Sequence, residues 1–338
     1  MRKLWLISCL MGLLSTSAFA DHKIKHYKDI VFASPKGFDL TLDIAVPETE
    51  TKNKPVLVIF HGGGFLLNNK SIMTDFADAI ASRTDIITVN ANYRLLSDLN
   101  NTTTINESIE DAMGAVLWVK DNIKQYSGDP EKLAITGDSA GGHLTGMILH
   151  AGRNLDGDGF NKKPLGFKPV YLPKGMTAEQ VAAKDGLKVQ AALLSYTGYN
   201  LIERAKNNYE TASNPAWGWA KAKPRGLFGD KINHVDNPEY YLAASSDQYP
   251  VKVSDYQLPP QFIHVGELDK IATVARTQIY IDQLKALGQT DVEFVVYAGK
   301  GHGFLDSGCN DYNKGCFKEV SEPTVTDMIK FLNKVFSL

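Results

Sequence analysis

Cysteine is scarce: three stand among 338 residues, at positions 9, 309 and 316. No histidine lies at finger-like spacing from Cys309 and Cys316, which argues against a structural zinc site there. Long uncharged apolar runs are missing after the first twenty residues, so a membrane-spanning helix is not expected in the remainder. Basic excess is missing too. The 36 Lys and Arg residues are outnumbered by 38 Asp and Glu, for a net charge of −2. That balance argues against a nucleic-acid or anionic-membrane partner. Internal repeats and low-complexity tracts are absent. The length fits one large α/β domain with insertions, and nothing in it forces two domains.

The first twenty residues read as a signal peptide. Arg2 and Lys3 form a positive start, residues 4–14 a short apolar core, and Ala18-Phe19-Ala20 a small-x-small cleavage site. Cleavage near Ala20 predicts an exported chain, periplasmic or secreted, beginning at Asp21. It removes Arg2 and Lys3 and no acidic residue, which takes the charge from −2 to −4. Cys9 leaves with this segment. The remaining even pair, Cys309 and Cys316, is then read as a disulfide closing a polar loop, with two free thiols as the alternative.

The hydropathy pattern alternates strands and helices. Residues 29–34 and 38–46 read as an edge hairpin about Pro35-Lys36-Gly37. Apolar runs at 56–60, 86–89, 133–135, 189–194, 261–265 and 292–297 read as buried strands. Helices are expected near 71–82, 108–124, 272–287 and 323–336, with Ser108 and Asp111 forming the capping box of the second. The alternation predicts a mainly parallel central sheet with helices on both faces. Two segments interrupt it, at about 152–187 and 197–260. Loops of that length are usually functional, and the aromatics of the second suit either a lid over a site or plain packing.

Gly137-Asp138-Ser139-Ala140-Gly141 falls between a strand and a helix. Gly-x-Ser-x-Gly in that context is the pattern of a nucleophile elbow, where small neighbours let a strained turn expose the serine hydroxyl. Acyl transfer also needs a base, an acid to orient it, and donors for the oxyanion. His302, in Gly301-His302-Gly303 after a strand, suits the base. Asp269 suits the acid, with Glu267 as the other choice. His61-Gly62-Gly63-Gly64 follows a buried strand, and its glycines can turn backbone N–H groups toward one point. Gly63, Gly64 and Ala140 are the expected oxyanion donors. His61 is read as orienting that loop rather than as a base. The Gly-Lys-Ser/Thr ending of a phosphate cradle is missing from it. Asn154-Leu155-Asp156-Gly157-Asp158-Gly159 resembles the start of a calcium loop, but its twelfth position is Leu165 instead of Glu.

Together with Asn92-Tyr93-Arg94-Leu95, these motifs resemble the hormone-sensitive-lipase-like esterase group of α/β-hydrolases, from Val56 onward apart from the insertions. The resemblance implies the α/β-hydrolase fold, a Ser139–Asp269–His302 triad, no cofactor, and small carboxylic esters as substrates. Leu96-Ser97-Asp98 stands where the family often has Ala-Pro-Glu, and cap helices are not evident before residue 46. Two further readings stay open. One is a carbohydrate esterase acting on glycan-linked acetyl or feruloyl groups. The other is an inactive hydrolase-fold binding module, which commonly loses a triad member.

Overall fold

The computed structural model describes residues 21–310 and 313–338. The proposed signal peptide lies outside the described residues. Eight strands form one sheet: β1 (Ile24–Ala33), β2 (Leu40–Pro47), β3 (Lys54–Phe60), β4 (Ile87–Ala91), β5 (Gly128–Asp138), β6 (Ala191–Ser195), β7 (Gln261–Gly266) and β8 (Val292–Tyr297). Their order is β1-β2-β4-β3-β5-β6-β7-β8. The β1–β2 and β2–β4 pairs are antiparallel, and every pairing from β4 across to β8 is parallel. The edge hairpin stands where its alternation placed it, and its first strand starts five residues earlier than the pattern suggested.

Helices cover both faces because the parallel strands are apolar on both. In β3, Val56, Val58 and Phe60 point into one layer with α2 (Ile105–Asn122) and α3 (Ala140–Ala151). Leu57 and Ile59 point into the other, with α1 (Thr74–Arg83) and α6 (Glu322–Phe336). That is the two-residue period of a strand written into two cores. The remaining helices used below are α4 (Leu201–Lys206) and α5 (Val274–Ala286).

The start of α2 corrects the sequence reading. Its capping box is Thr104 with Glu107, whose carboxylate accepts from Thr104 N at 2.8 Å. Ser108 and Asp111 lie one turn inside, both buried. Asp111 instead takes Arg94 in a fork, from Nε at 2.8 Å and Nη2 at 2.6 Å. A buried carboxylate so paired satisfies an arginine that would otherwise be costly to bury.

The segment 152–187 packs beside α2 and includes a short α-helix, Ala178–Ala183. Within the calcium-like stretch, Asp156 Oδ1 accepts from Asp158 N at 2.7 Å, and Glu179 Oε1 accepts from Gly157 N at 2.6 Å. The segment 197–260 holds α4, the short α-helices Pro215–Trp219 and Pro238–Ala243, and a 3-10 turn at Ser246–Gln248. It rises beside the carboxyl ends of the parallel strands. Cys309 and Cys316 are joined by a disulfide.

Candidate active site

Ser139 sits between β5 and α3 with φ 52° and ψ −110°. Such a backbone costs of order 1–3 kcal/mol for a residue with a side chain, and it must be held by its surroundings. The glycines make it possible. A Cβ on Gly137 would lie 2.2 Å from Gly141 C, and one on Gly141 would lie 1.9 Å from Phe60 O. The strand end, the turn and β3 therefore meet with no room for a side chain. Ser139 N donates to Ser195 O at 2.9 Å, which ties the turn to the end of β6.

His302 and Asp269 come from the loops after β8 and β7. The contacts form an unbroken line: Ser139 Oγ to His302 Nε2 is 2.8 Å, and His302 Nδ1 to Asp269 Oδ2 is 2.7 Å. Asp269 is buried, and its Oδ1 accepts from Ile271 N at 2.8 Å and Ala272 N at 2.9 Å. Those bonds aim the other carboxylate oxygen at the imidazole, so Nδ1 carries the proton and Nε2 is free to accept from the serine. The alternative acid, Glu267, is exposed and accepts from Gly299 N at 2.8 Å.

The glycine loop closes the other side. Gly63 has φ 119° and Gly64 φ 62°, backbone that favours glycine. Among the described residues neither Gly63 N–H nor Gly64 N–H has an acceptor. Ala140 begins α3, so its N–H has no carbonyl one turn back. Gly63 and Gly64 line the same cleft as Ser139, and Ala140 directly follows it. His61 braces the loop. It stacks on Tyr93 at 4.4 Å, bonds Gly62 O through Nδ1 at 2.7 Å, and burial holds its pKa down at about 4. It is a neutral strut. The Tyr93 hydroxyl donates to His61 O at 2.8 Å, and Leu96 N donates to Phe65 O at 2.8 Å. Residues 92–96, themselves fixed by Arg94 on Asp111, thereby clamp the loop.

Sequence reasoning missed several neighbours. Tyr196, at φ 37° just past β6, stands 4.9 Å from the His302 ring, and its hydroxyl accepts from Leu305 N at 3.2 Å. Asp138, inside the elbow motif, is buried, and burial followed by repulsion from Asp306 pushes its carboxyl well above the usual range. Asp306 is raised to about 6 by burial, against the opposing pull of His302. Tyr209 donates from its hydroxyl to Gly64 O, a link from the second insertion to the glycine loop. Asn313, within the disulfide loop, donates to Gly303 O at 2.6 Å and steadies the histidine turn. The only sequence hint of these was nearness to a motif. Asp306 falls four residues after His302, and Tyr196 directly follows β6.

Above the serine lies a cleft of about 960 Å³, lined by the glycine loop, Ser139, His302, α4, α5 and the second insertion.

A predominantly parallel eight-stranded sheet carrying Ser139 on a strand-to-helix elbow, with His302 and Asp269 on later strand ends, defines an α/β-hydrolase. A model of the BD-FAE family matches residues 42–284, and the chain belongs to that family, within the hormone-sensitive-lipase-like α/β-hydrolases. Among curated relatives, the para-nitrobenzyl esterase of Bacillus subtilis is 36% identical over 174 residues, which is 48% of this chain and 32% of that protein. Carboxylesterase NlhH of Mycobacterium tuberculosis is 32% identical over 144 residues, 41% of this chain and 42% of the relative. Esterase LipQ of the same organism is 26% identical over 253 residues, 75% of this chain and 51% of the relative. The chain thus spans between 32% and 51% of the length of these relatives. The apo form of Thermogutta terrifontis esterase 2 shares the fold, with TM-score 0.63 at 19% identity over 96% of this chain and 98% of that one.

Proposed function

We propose that this chain is a serine esterase that hydrolyses carboxylic esters through an acyl-enzyme. The observation that carries the reading is the unbroken Ser139–His302–Asp269 line beside the unbonded N–H groups of Gly63 and Gly64. Ser139 Oγ attacks the ester carbonyl as His302 Nε2 takes its proton. Asp269 holds the tautomer and stabilises the imidazolium. The N–H groups of Gly63, Gly64 and Ala140 receive the oxyanion, where fixed donors act more strongly than water. His302 then gives the proton to the leaving alcohol, and a water activated by the same imidazole releases the acid. No step calls for a cofactor.

Hydrolysis of para-nitrophenyl butyrate tests the reading. Ser139→Ala should lower turnover by roughly 10⁴-fold or more with an unchanged fold. Activity comparable to the parent would remove the mechanism.

Action on glycan-linked esters has one specific support. Trp219 is 69% exposed on the lining of the cleft, placed to stack on a sugar or phenolic ring. Comparing acetyl and feruloyl esters with and without an attached sugar would decide it. Export, with cleavage near Ala20, belongs to the same proposal and suits the disulfide, since such bonds persist in oxidising compartments. Among the described residues no helix is long and apolar enough to cross a membrane.

A further inference from the structure

Arg204 lines the cleft, the reaction above does not use its charge, and among the described residues no carboxylate answers it; Lys270, another cleft cation without an ion pair, is exposed to water. Arg204 projects from α4 toward the glycine loop. A Cβ placed on Gly64 would lie 3.8 Å from Arg204 Nη2 and 3.9 Å from the Tyr209 hydroxyl. The guanidinium carbon stands 4.9 Å from the Tyr209 ring centre and 5.9 Å from that of Phe65. Arg204 Nε is buried and, among the described residues, has no hydrogen-bond partner.

The carboxylates that could have paired with it are engaged elsewhere. Glu203 reaches Arg276 at 3.5 Å. Asp247 accepts from Asn200 at 3.0 Å. Asp269 is committed to His302, and Asp138 is held toward its neutral form. Among the described residues no carboxylate lies within 4.0 Å of the Arg204 guanidinium. Arg204 is half-buried, and burying its Nε without a partner carries a cost that stacking on two rings offsets only in part. A planar fork beside the oxyanion donors suits a planar anion. Glu203 and Asp247 line the same cleft, so a dianionic phosphate would meet about twice the repulsion that a single carboxylate meets.

We infer that Arg204 is a substrate-recognition residue that binds a carboxylate carried by the ester, so that the favoured substrates are anionic esters. This rests on the esterase reading above and names its substrate class. The carboxylate can sit on the acyl or the alcohol side, and both are accessible to experiment.

Two substrate pairs provide the test. Mono-para-nitrophenyl adipate is compared with para-nitrophenyl hexanoate, and meta-carboxyphenyl butyrate with phenyl butyrate. The readout is the ratio of kcat/KM, carboxylated over plain, in the parent, Arg204→Met and Arg204→Lys. The parent should favour the carboxylated member of at least one pair. Arg204→Met should cut that ratio by about tenfold or more, the scale of a lost charged hydrogen bond, and Arg204→Lys should cut it less. Ratios that are the same in the parent and Arg204→Met for both pairs would overturn the inference. Should the parent hydrolyse none of the four, the esterase reading fails. Calorimetric titration with adipate then decides the role of Arg204. Binding at least tenfold weaker in Arg204→Met supports it, and equal or absent binding in both proteins overturns it.

Discussion

The two sides of the cleft are built differently. The floor is main chain. The elbow, the glycine loop and the strand ends lie so close that Cβ atoms on Gly137 or Gly141 would collide with backbone, and their positions follow from strand register. The wall, formed by 197–260 and α5, is made of side chains: Arg204 and Trp219 on short helices, Tyr209 on a turn and Arg276 on α5. Where chemistry must be placed to a fraction of an ångström, backbone does the placing. On the reading proposed above, the side chains of the wall tell one substrate from another. Tyr209 joins wall and floor through the Gly64 carbonyl.

Breaking the side-chain line that the floor carries should have the largest effect. Asp269→Asn leaves the shape but removes the charge that fixes the histidine tautomer, and kcat should fall by about 10⁴-fold. Glu267→Gln, at an exposed position off the line, should leave kcat within about twofold. Comparable losses in the two variants would mean that the acid is misassigned.

A smaller effect is expected behind His302. Above pH 6 the Asp306 carboxylate, raised to about 6, adds negative charge near the imidazole. Asp306→Asn removes that support for the imidazolium. Turnover at pH 8 should drop by roughly three- to tenfold, and the acid limb of the pH–rate profile should move to lower pH. A profile displaced to higher pH, or unmoved, would refute the coupling.

The smallest effect lies away from the cleft. Burial raises the Glu110 carboxyl from 4.5 to about 8, outweighing the bond it accepts from Lys168 N. Between those values the folded protein holds a proton that the unfolded chain has released. Stability from this group is therefore complete below about pH 4.5 and is lost as the pH rises toward 8. Glu110→Gln, which keeps the acceptor, should raise Tm at pH 8.5 by a few degrees and leave it nearly unchanged at pH 4.5. An equal change at both pH values would contradict this sign.

How much was legible in the sequence follows the same division. The strands and the elbow were readable because burial on both faces writes continuous apolar runs, and because the strained turn at Ser139 demands glycine at 137 and 141. His302 was readable from its glycine neighbours after β8. The cap of α2 was not. Thr104…Glu107 and Ser108…Asp111 carry the same local pattern, and only Arg94, arriving from another loop, claims Asp111 and leaves the cap to Thr104. Tyr196, Asp306 and Arg204 left no pattern, because each owes its place to how separate loops pack at the strand ends. Arg204 sits on a six-residue helix whose orientation depends on the whole insertion.

The most direct measurement of the central claim is peptide mapping by mass spectrometry after incubation with a diethyl phosphoryl ester, which arrests an acylating serine. A single adduct is predicted on the peptide carrying Ser139, formed far more slowly in His302→Ala. Labelling at another residue, or none in a folded protein, would contradict the claim.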